Sequence, residues 1–276
     1  MKQLYRKGAN IVMACRSMER MNQAQQNVEN EIKDTDGVIE CIKLDLSSQQ
    51  SVQEFVDEYK QKHENDKLNV LVNNAGIMAI KNLERSVDGY ELQMAANHFG
   101  HFALTLKLLP YMASDARIIS LSSSMQAMGN LWWDMNDINW NTRTYSAWGA
   151  YGQVKLANVL FIKGLQKRLN ASEQGKHILA FSVDPGSIPS TGITRNSQGS
   201  WGTVMQKAMF FTHKTIQQGA ATSVNCITNP TLTGENGGNY FADCNPKCPN
   251  AKANDESEIQ KLWEQSETLT KTTFPF

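Results

Sequence analysis

Short apolar runs, each closed by a polar or small residue and followed by a stretch of helical character, restrict this chain more than any other feature. Ala9-Asn-Ile-Val-Met-Ala-Cys15, Val38-Ile-Glu-Cys-Ile-Lys-Leu44, Leu68-Asn-Val-Leu-Val72, Arg117-Ile-Ile-Ser-Leu121 and Ile178-Leu-Ala-Phe-Ser-Val183 have the length and β-branched content of buried strands. Between the second and third, Val52, Phe55, Val56 and Tyr59 repeat at i, i+3, i+4 and i+7, the pattern of a helix with one apolar face. Residues 90–112, 145–169 and 216–228 read as further helices, Tyr240-Phe241 as a last strand and 255–270 as a polar surface helix. Residues 1–7 read as the tail of a helix that Gly8 stops. Strands that alternate with helices pair in parallel and are covered on both faces, so the expected class is a three-layer α/β fold. No linker, repeat or low-complexity stretch interrupts the pattern, and residues 1–276 are expected to form one domain.

Chemistry concentrates between Arg117 and Asn158. Tyr151-Gly-Gln-Val-Lys155 puts a phenol and an ammonium one turn apart on a helix face. A phenol titrates near pH 10 (about the value in model peptides) and alone exchanges protons poorly at neutral pH. A neighbouring ammonium favours the phenolate, and is expected to pull that value toward the working range of a general acid or base. Upstream, the strand from Arg117 runs into Ser122, Ser123 and Ser124, where a hydroxyl could hydrogen-bond a substrate oxygen. Tyr-x-x-x-Lys alone is common on solvated helix faces. Its place after a serine-ended strand gives it weight.

Further segments fall in a recognisable order: Asn73-Asn-Ala-Gly76, Asn97-His-Phe-Gly-His-Phe102, Asp184-Pro-Gly186 and Gly238-Asn-Tyr-Phe-Ala-Asp-Cys244. With the serines and Tyr151-Gly-Gln-Val-Lys-Leu-Ala-Asn158 they cover nearly the whole chain, which resembles the short-chain dehydrogenase/reductase family and its retinol-dehydrogenase-like branch. The resemblance implies a Rossmann-like, doubly wound parallel sheet. It implies Tyr151 as acid/base, Lys155 as its electrostatic partner and ribose ligand, Ser123 orienting the carbonyl (with Ser122 and Ser124 its immediate alternatives) and Asn97 holding a proton-relay water. For the cofactor it implies Asp45 at the adenine edge, Asn74, Ala75 and Gly76 along the dinucleotide, and Pro185 and Gly186 at the nicotinamide carboxamide, with a hydroxyl from Ser190 or Thr191; Asn73 is expected to be structural. Pro189 departs from the family's pattern in that turn. Residues 201–211 fall where the family places a substrate lid.

At the end of the strand that reads the adenosine ribose, an acid favours a free 2′-hydroxyl and an arginine accommodates a 2′-phosphate. Here Arg16 follows Cys15, with Arg20 a turn further on, so the expected cofactor is NADP(H). No glycine-rich turn precedes Arg16. Relative to the family pattern, the sheet is therefore expected to be N-terminally incomplete, lacking a central strand between those at 9–15 and 68–72, together with backbone donors for the pyrophosphate.

The expected reaction is NADP(H)-dependent interconversion of an alcohol and a carbonyl on an apolar substrate such as a retinoid, steroid or lipid aldehyde. The rival expectation is a catalytically inactive truncated chain acting at most as an interaction module. A nucleotide-sugar epimerase shares Tyr-x-x-x-Lys but fits the Asn73 and Asn97 segments less well. Lys plus Arg and Asp plus Glu are 27 each, which gives no electrostatic case for nucleic acid or an acidic membrane surface. The apolar runs are too short to suggest a membrane span. Five scattered cysteines suggest reduced thiols and a cytoplasmic setting, with membrane association if an upstream anchor preceded this sequence. Cys244 and Cys248 read as structural, and His98 and His101, three apart without further ligands, as packing rather than metal ligands. The Trp-rich stretch 131–140 is expected to wall the substrate cleft or to pack on the surface, and a homodimer is compatible with the resemblance.

Overall fold

The computed structural model of the chain describes residues 1–191 and 213–276. α1 (Lys2–Tyr5) precedes Gly8, after which strand and helix alternate as expected: β1 (Ile11–Cys15), α2 (Met18–Glu31), β2 (Ile39–Lys43), α3 (Gln49–Lys62) and β3 (Leu68–Asn73). There follow α4 (Leu92–Met94), α5 (Gly100–Leu108), β4 (Met112–Leu121), α6 (Ala147–Ala171), β5 (Leu179–Asp184), α7 (Ile216–Thr228), β6 (Tyr240–Ala242), β7 (Asn245–Lys247) and α8 (Glu256–Thr270). Gly8 ends α1 with a φ of 82°, a conformation that costs glycine little.

Among the described residues the strands form two sheets, not one. β1 and β2 pair in parallel, and a second sheet has the order β3-β4-β5-β6-β7, parallel except for β7. Both sheets rest on the same helices: Val12 of β1, Ile42 of β2, and Leu68 and Leu71 of β3 all pack into a cluster with Val52, Phe55, Val56 and Tyr59 of α3 and Leu104 and Leu108 of α5. The facing edges of β1 and β3 are unpaired, and Val72 near the end of β3 is 38% exposed, whereas every residue of β5 is buried. α6 and α8 cover one face of the larger sheet through Phe161, Leu165 and Trp263; α7 covers the other, where Cys226 meets Ile119, Phe181 and Phe241.

Two local readings shift. The segment 90–112 is not one helix: α4 and α5 are joined by a π-helical turn at Ala95–Phe99, a 3₁₀ turn over Leu109–Tyr111 contains Pro110, and Met112 already begins β4. Proline lacks the N–H that would continue the helix. Tyr240 begins a hairpin rather than a lone strand, with Asp243 and Cys244 at φ of 52° and 60° in its two-residue turn.

Gly100, directly after the π-helical turn, lets α5 lie against the loop that follows β2. A Cβ there would stand 2.2 Å from the Leu46 carbonyl oxygen, which is backbone and cannot swing away. Gly100→Ala should therefore destabilise the chain by about 2 kcal/mol or more, within the range of overpacked cores. Urea unfolding measures this directly, and an unchanged midpoint would show that α5 is free to back away.

Candidate active site

The site is assembled where α6 crosses the C-terminal ends of β4 and β5. Ser146 starts α6 by accepting from Gly149 N at 3.1 Å, and the helix then runs buried through the core. Lys155 Nζ donates to the Leu121 carbonyl at 3.0 Å, and Asn158 Nδ2 donates to the same oxygen at 3.0 Å. In return, the Ser122 hydroxyl donates to the Lys155 carbonyl at 2.7 Å. Ser122 is thus committed to holding helix and strand together. Ser123, partly exposed, faces the Tyr151 phenol, and Ser124 is exposed at the start of a 3₁₀ turn.

Tyr151 and Lys155 share one face as the spacing requires, with Nζ 5.4 Å from the ring centroid, and both are buried. Burial pulls the Lys155 ammonium down to about 8, opposed by the Asp184 carboxylate. Burial also pushes the Tyr151 phenol well above the ordinary range; Ser123 works against that rise and Asp184 adds to it. The expected lowering of the phenol by lysine is therefore absent. The ammonium is engaged with Leu121 rather than with the phenol oxygen, and loss of water around the phenolate outweighs its attraction.

Asn97 sits within the π-helical turn, completely buried. Its Oδ1 accepts from Ile77 N and its Nδ2 donates to Ile77 O, both at 2.8 Å, so the side chain clamps the loop that follows β3. That loop carries Asn74, Ala75 and Gly76, all exposed; a Cβ on Gly76 would lie 3.4 Å from Asn97 Oδ1. Asn73 is buried and donates to Thr105 Oγ1 of α5 at 2.8 Å, tying β3 to a helix rather than to a neighbouring strand. Gln93, which no motif marks, holds the same loop to the start of α6: its Oε1 accepts from Ala79 N at 2.8 Å and its Nε2 donates to Tyr145 OH and to the Ala147 carbonyl at 3.0 Å each.

At the end of β5, Pro185 is followed by Gly186 at a φ of 76°, with the Lys214 side chain packed against it and ion-paired to Asp243. Thr191 Oγ1 is turned to the Ile188 carbonyl at 2.8 Å, and Ser190 is exposed. The residues expected to form a lid, 201–211, lie outside the described residues. Asp184 was read only as part of a motif. Its carboxylate is buried, accepting from Gly186 N at 2.8 Å and from the Tyr240 hydroxyl at 3.1 Å.

At the far end, Arg16 is exposed between β1 and Ser17, which caps α2. Asp45 Oδ1 accepts from Ser47 N at 2.9 Å and Ser47 Oγ at 2.6 Å, so its carboxylate shapes the turn before α3. The residues present suit a dinucleotide unevenly. Gly76 without a side chain, the Gly186 turn and the Lys155 ammonium offer room and charge for nicotinamide and ribose. Among the described residues, no glycine-rich turn with backbone donors for a pyrophosphate stands between the unpaired edges of β1 and β3.

The Trp-rich insertion is anchored rather than loose. Asp137 accepts from the backbone of Asn141, Thr142 and Arg143; Arg143 stacks 3.8 Å from the Trp140 ring centre and donates to Gln153 on α6, and Trp133 Nε1 donates to Glu258 of α8 at 2.7 Å. His98 and His101 are buried packing groups. His98 Nε2 meets Ser266 Oγ at 2.9 Å, His101 Nδ1 meets the Asn97 carbonyl at 3.1 Å, and burial pulls the two imidazoles down to about 4 and about 3. Among the described residues no three potential ligands gather around a metal position, and no helix is long and apolar enough to cross a membrane.

A mostly parallel sheet layered between helices, with Ser123, Tyr151 and Lys155 gathered at its strand ends, defines a Rossmann-like α/β protein. A sequence model of the short chain dehydrogenases matches residues 1–135. A chloroplastic short-chain dehydrogenase TIC 32 B of Brassica napus is 38% identical over 268 residues, covering 94% of this chain and 80% of that protein. Human retinol dehydrogenase 13 is 33% identical over 280 residues, covering 99% of this chain and 80% of its own length. The crystal structure of an uncharacterised protein from Mycobacterium paratuberculosis superposes with a TM-score of 0.76 at 31% identity, covering 100% of this chain and 89% of that one. The chain belongs to the short-chain dehydrogenase/reductase family, in its retinol-dehydrogenase-like branch.

Lys155 is expected to lower the stability of the chain. Its folded value of about 8 lies below the 10.5 of an ordinary lysine, so the unfolded chain binds this proton more tightly. The cost is complete below about pH 8 and disappears as pH rises toward the unfolded value. Lys155→Met should remove this dependence, so the unmodified chain gains stability relative to the variant as pH rises from about 8 toward 10.5. Denaturation of both proteins across that range checks it, and a stability difference that does not change with pH would refute it.

Proposed function

We propose that this protein interconverts an alcohol and a carbonyl on an apolar substrate with NADP(H), using Ser123, Tyr151, Lys155 and Asn97. The observation that carries the reading is the convergence of a phenol, a buried ammonium and a serine hydroxyl at the joint between α6 and β4. NADP(H), when bound, supplies or accepts the hydride at the carbonyl carbon. In reduction Tyr151 gives its proton to the carbonyl oxygen, and a phenol held above its ordinary range is protonated and ready to donate. Ser123 donates a hydrogen bond to the same oxygen. Lys155 stabilises the phenolate left behind and binds ribose hydroxyls. The Asn97 carbonyl, at the π-helical turn, holds the water through which the proton is restored.

Arg16 favours a 2′-phosphate over a 2′-hydroxyl, Asp45 meets the adenine edge, and Asn74, Ala75, Gly76, Pro185 and Gly186 line the dinucleotide. An apolar substrate is supported by the retinol dehydrogenases among the relatives and by the anchored insertion, where Leu131 and Met128 are 71% and 41% exposed. The divided sheet supports a second reading, in which this 276-residue chain binds the dinucleotide weakly and has little activity. Asp45, Lys155 and Gly186 could still touch adenine, ribose and nicotinamide, while the charged pyrophosphate lacks its backbone donors.

With all-trans-retinal as the carbonyl probe, Tyr151→Phe should lower NADPH-dependent turnover by about a hundredfold or more, the scale of a lost general acid. Near-unchanged turnover would remove Tyr151 from the mechanism. Calorimetric titration with NADPH and NADH separates the two readings. The reductase reading expects NADPH to bind about tenfold to a hundredfold more tightly, a preference that Arg16→Ala erodes. Absence of saturable binding of either nucleotide would favour the second reading.

A further inference from the structure

Lys155 is a buried cation whose hydrogen-bond acceptor, Leu121 O, is a neutral carbonyl. Such a charge is costly unless an anion faces it. The strand register supplies one. Leu121 is opposite Val183, and Ser122 N donates to the Val183 carbonyl at 2.7 Å, so Asp184 leaves β5 beside the point where the ammonium meets β4. We propose that Asp184 is the buried counter-charge of Lys155, a positioning residue that keeps the ammonium charged and in place across the ends of β4 and β5. This rests on the reading of Tyr151 and Lys155 as the reacting pair.

The carboxylate is built into its position. It is buried, one oxygen accepts from Gly186 N at 2.8 Å and the other from the Tyr240 hydroxyl at 3.1 Å, and both donors are neutral. Its charge is therefore not cancelled by its own contacts. The other groups around Lys155 do not substitute for it. On α6, Tyr151 is held as a neutral phenol; on α5, burial holds His101 neutral; on β6, the Tyr240 phenol is also raised by burial and by Asp184 itself. Beyond Gly186, Asp243 is exposed and already paired with Lys214. Burial alone drives Lys155 toward the neutral amine, and Asp184 is the group that opposes it, leaving a value of about 8. At neutral pH the lysine consequently remains an ammonium, the form that can stabilise a phenolate. The same carboxylate disfavours the phenolate of Tyr151, which keeps that residue a proton donor until an oxygen is there to receive the proton.

The test reads Lys155 without requiring turnover. The full chain is labelled with [13Cε]lysine, the Lys155 resonance is assigned by its loss in Lys155→Met, and its titration is followed by NMR. In Asp184→Asn the midpoint should fall by about one pH unit, the scale of a lost neighbouring opposite charge. Tyr240→Phe removes a hydrogen bond and keeps the carboxylate, so its midpoint should stay within a few tenths (roughly 0.3) of the unmodified chain. An unchanged midpoint in Asp184→Asn would overturn the proposal. So would an equal fall in Tyr240→Phe, which would trace the effect to packing. If Asp184→Asn fails to fold, Asp184→Ser, whose hydroxyl can still accept from Gly186 N, carries the same expectation. A chain that fails to turn over retinal while showing the one-unit fall would separate this inference from the reductase reading.

Discussion

Everything at the site depends on one carbonyl. Leu121 O, the last acceptor of β4, receives both the Lys155 ammonium and the Asn158 amide, while the next residue, Ser122, returns a hydrogen bond to the Lys155 carbonyl. These three bonds fix the rotation and height of α6 on the sheet. Tyr151, one turn earlier, is thereby brought to Ser123, one residue beyond Ser122. A buried carbonyl left unpaired would be costly, so the strand end and the lysine satisfy one another. The structural role of the lysine and its proposed chemical role are inseparable.

The same burial that preorganises the site loads it with groups that would prefer water. Lys155 and Asp184 are buried charges, and His98 and His101 are held neutral at the expense of acid stability. A histidine whose folded value lies below its unfolded value binds protons more readily once the chain unfolds, so protons favour unfolding as pH falls below about 6.5. The core offsets these costs with long apolar contacts: Phe102, Phe161 and Trp263 stack around α5, α6 and α8, and the insertion is fastened at Asp137, Arg143 and Trp140. Where pairing is lacking among the described residues, between β1 and β3, the two sheets share their packing on α3 and α5. Unpaired parallel edges in that position are the weak seam of the fold.

The alternation of apolar runs and amphipathic stretches determined the α/β class, the order of most elements and the facing of Tyr151 and Lys155, because strand and helix periodicity are local properties of the chain. The sequence also indicated that the serine-ended strand precedes the helix of Tyr151 and Lys155 and that no glycine-rich turn stands before Arg16. Tertiary structure alone decided which serine is spent on holding α6 and that the Tyr151 phenol is raised rather than lowered, whereas the break between β1 and β3 was expected from the absent central strand. Gln93 and Arg143 carried no signal and Tyr240 stood only as part of a motif and a strand, since each acts on a partner brought near only by folding. Asp184 was visible only as the first letter of a turn. Its charge acquires meaning from the register of β5 beside β4, and a register between strands more than fifty residues apart is set by packing, not by spacing along the chain.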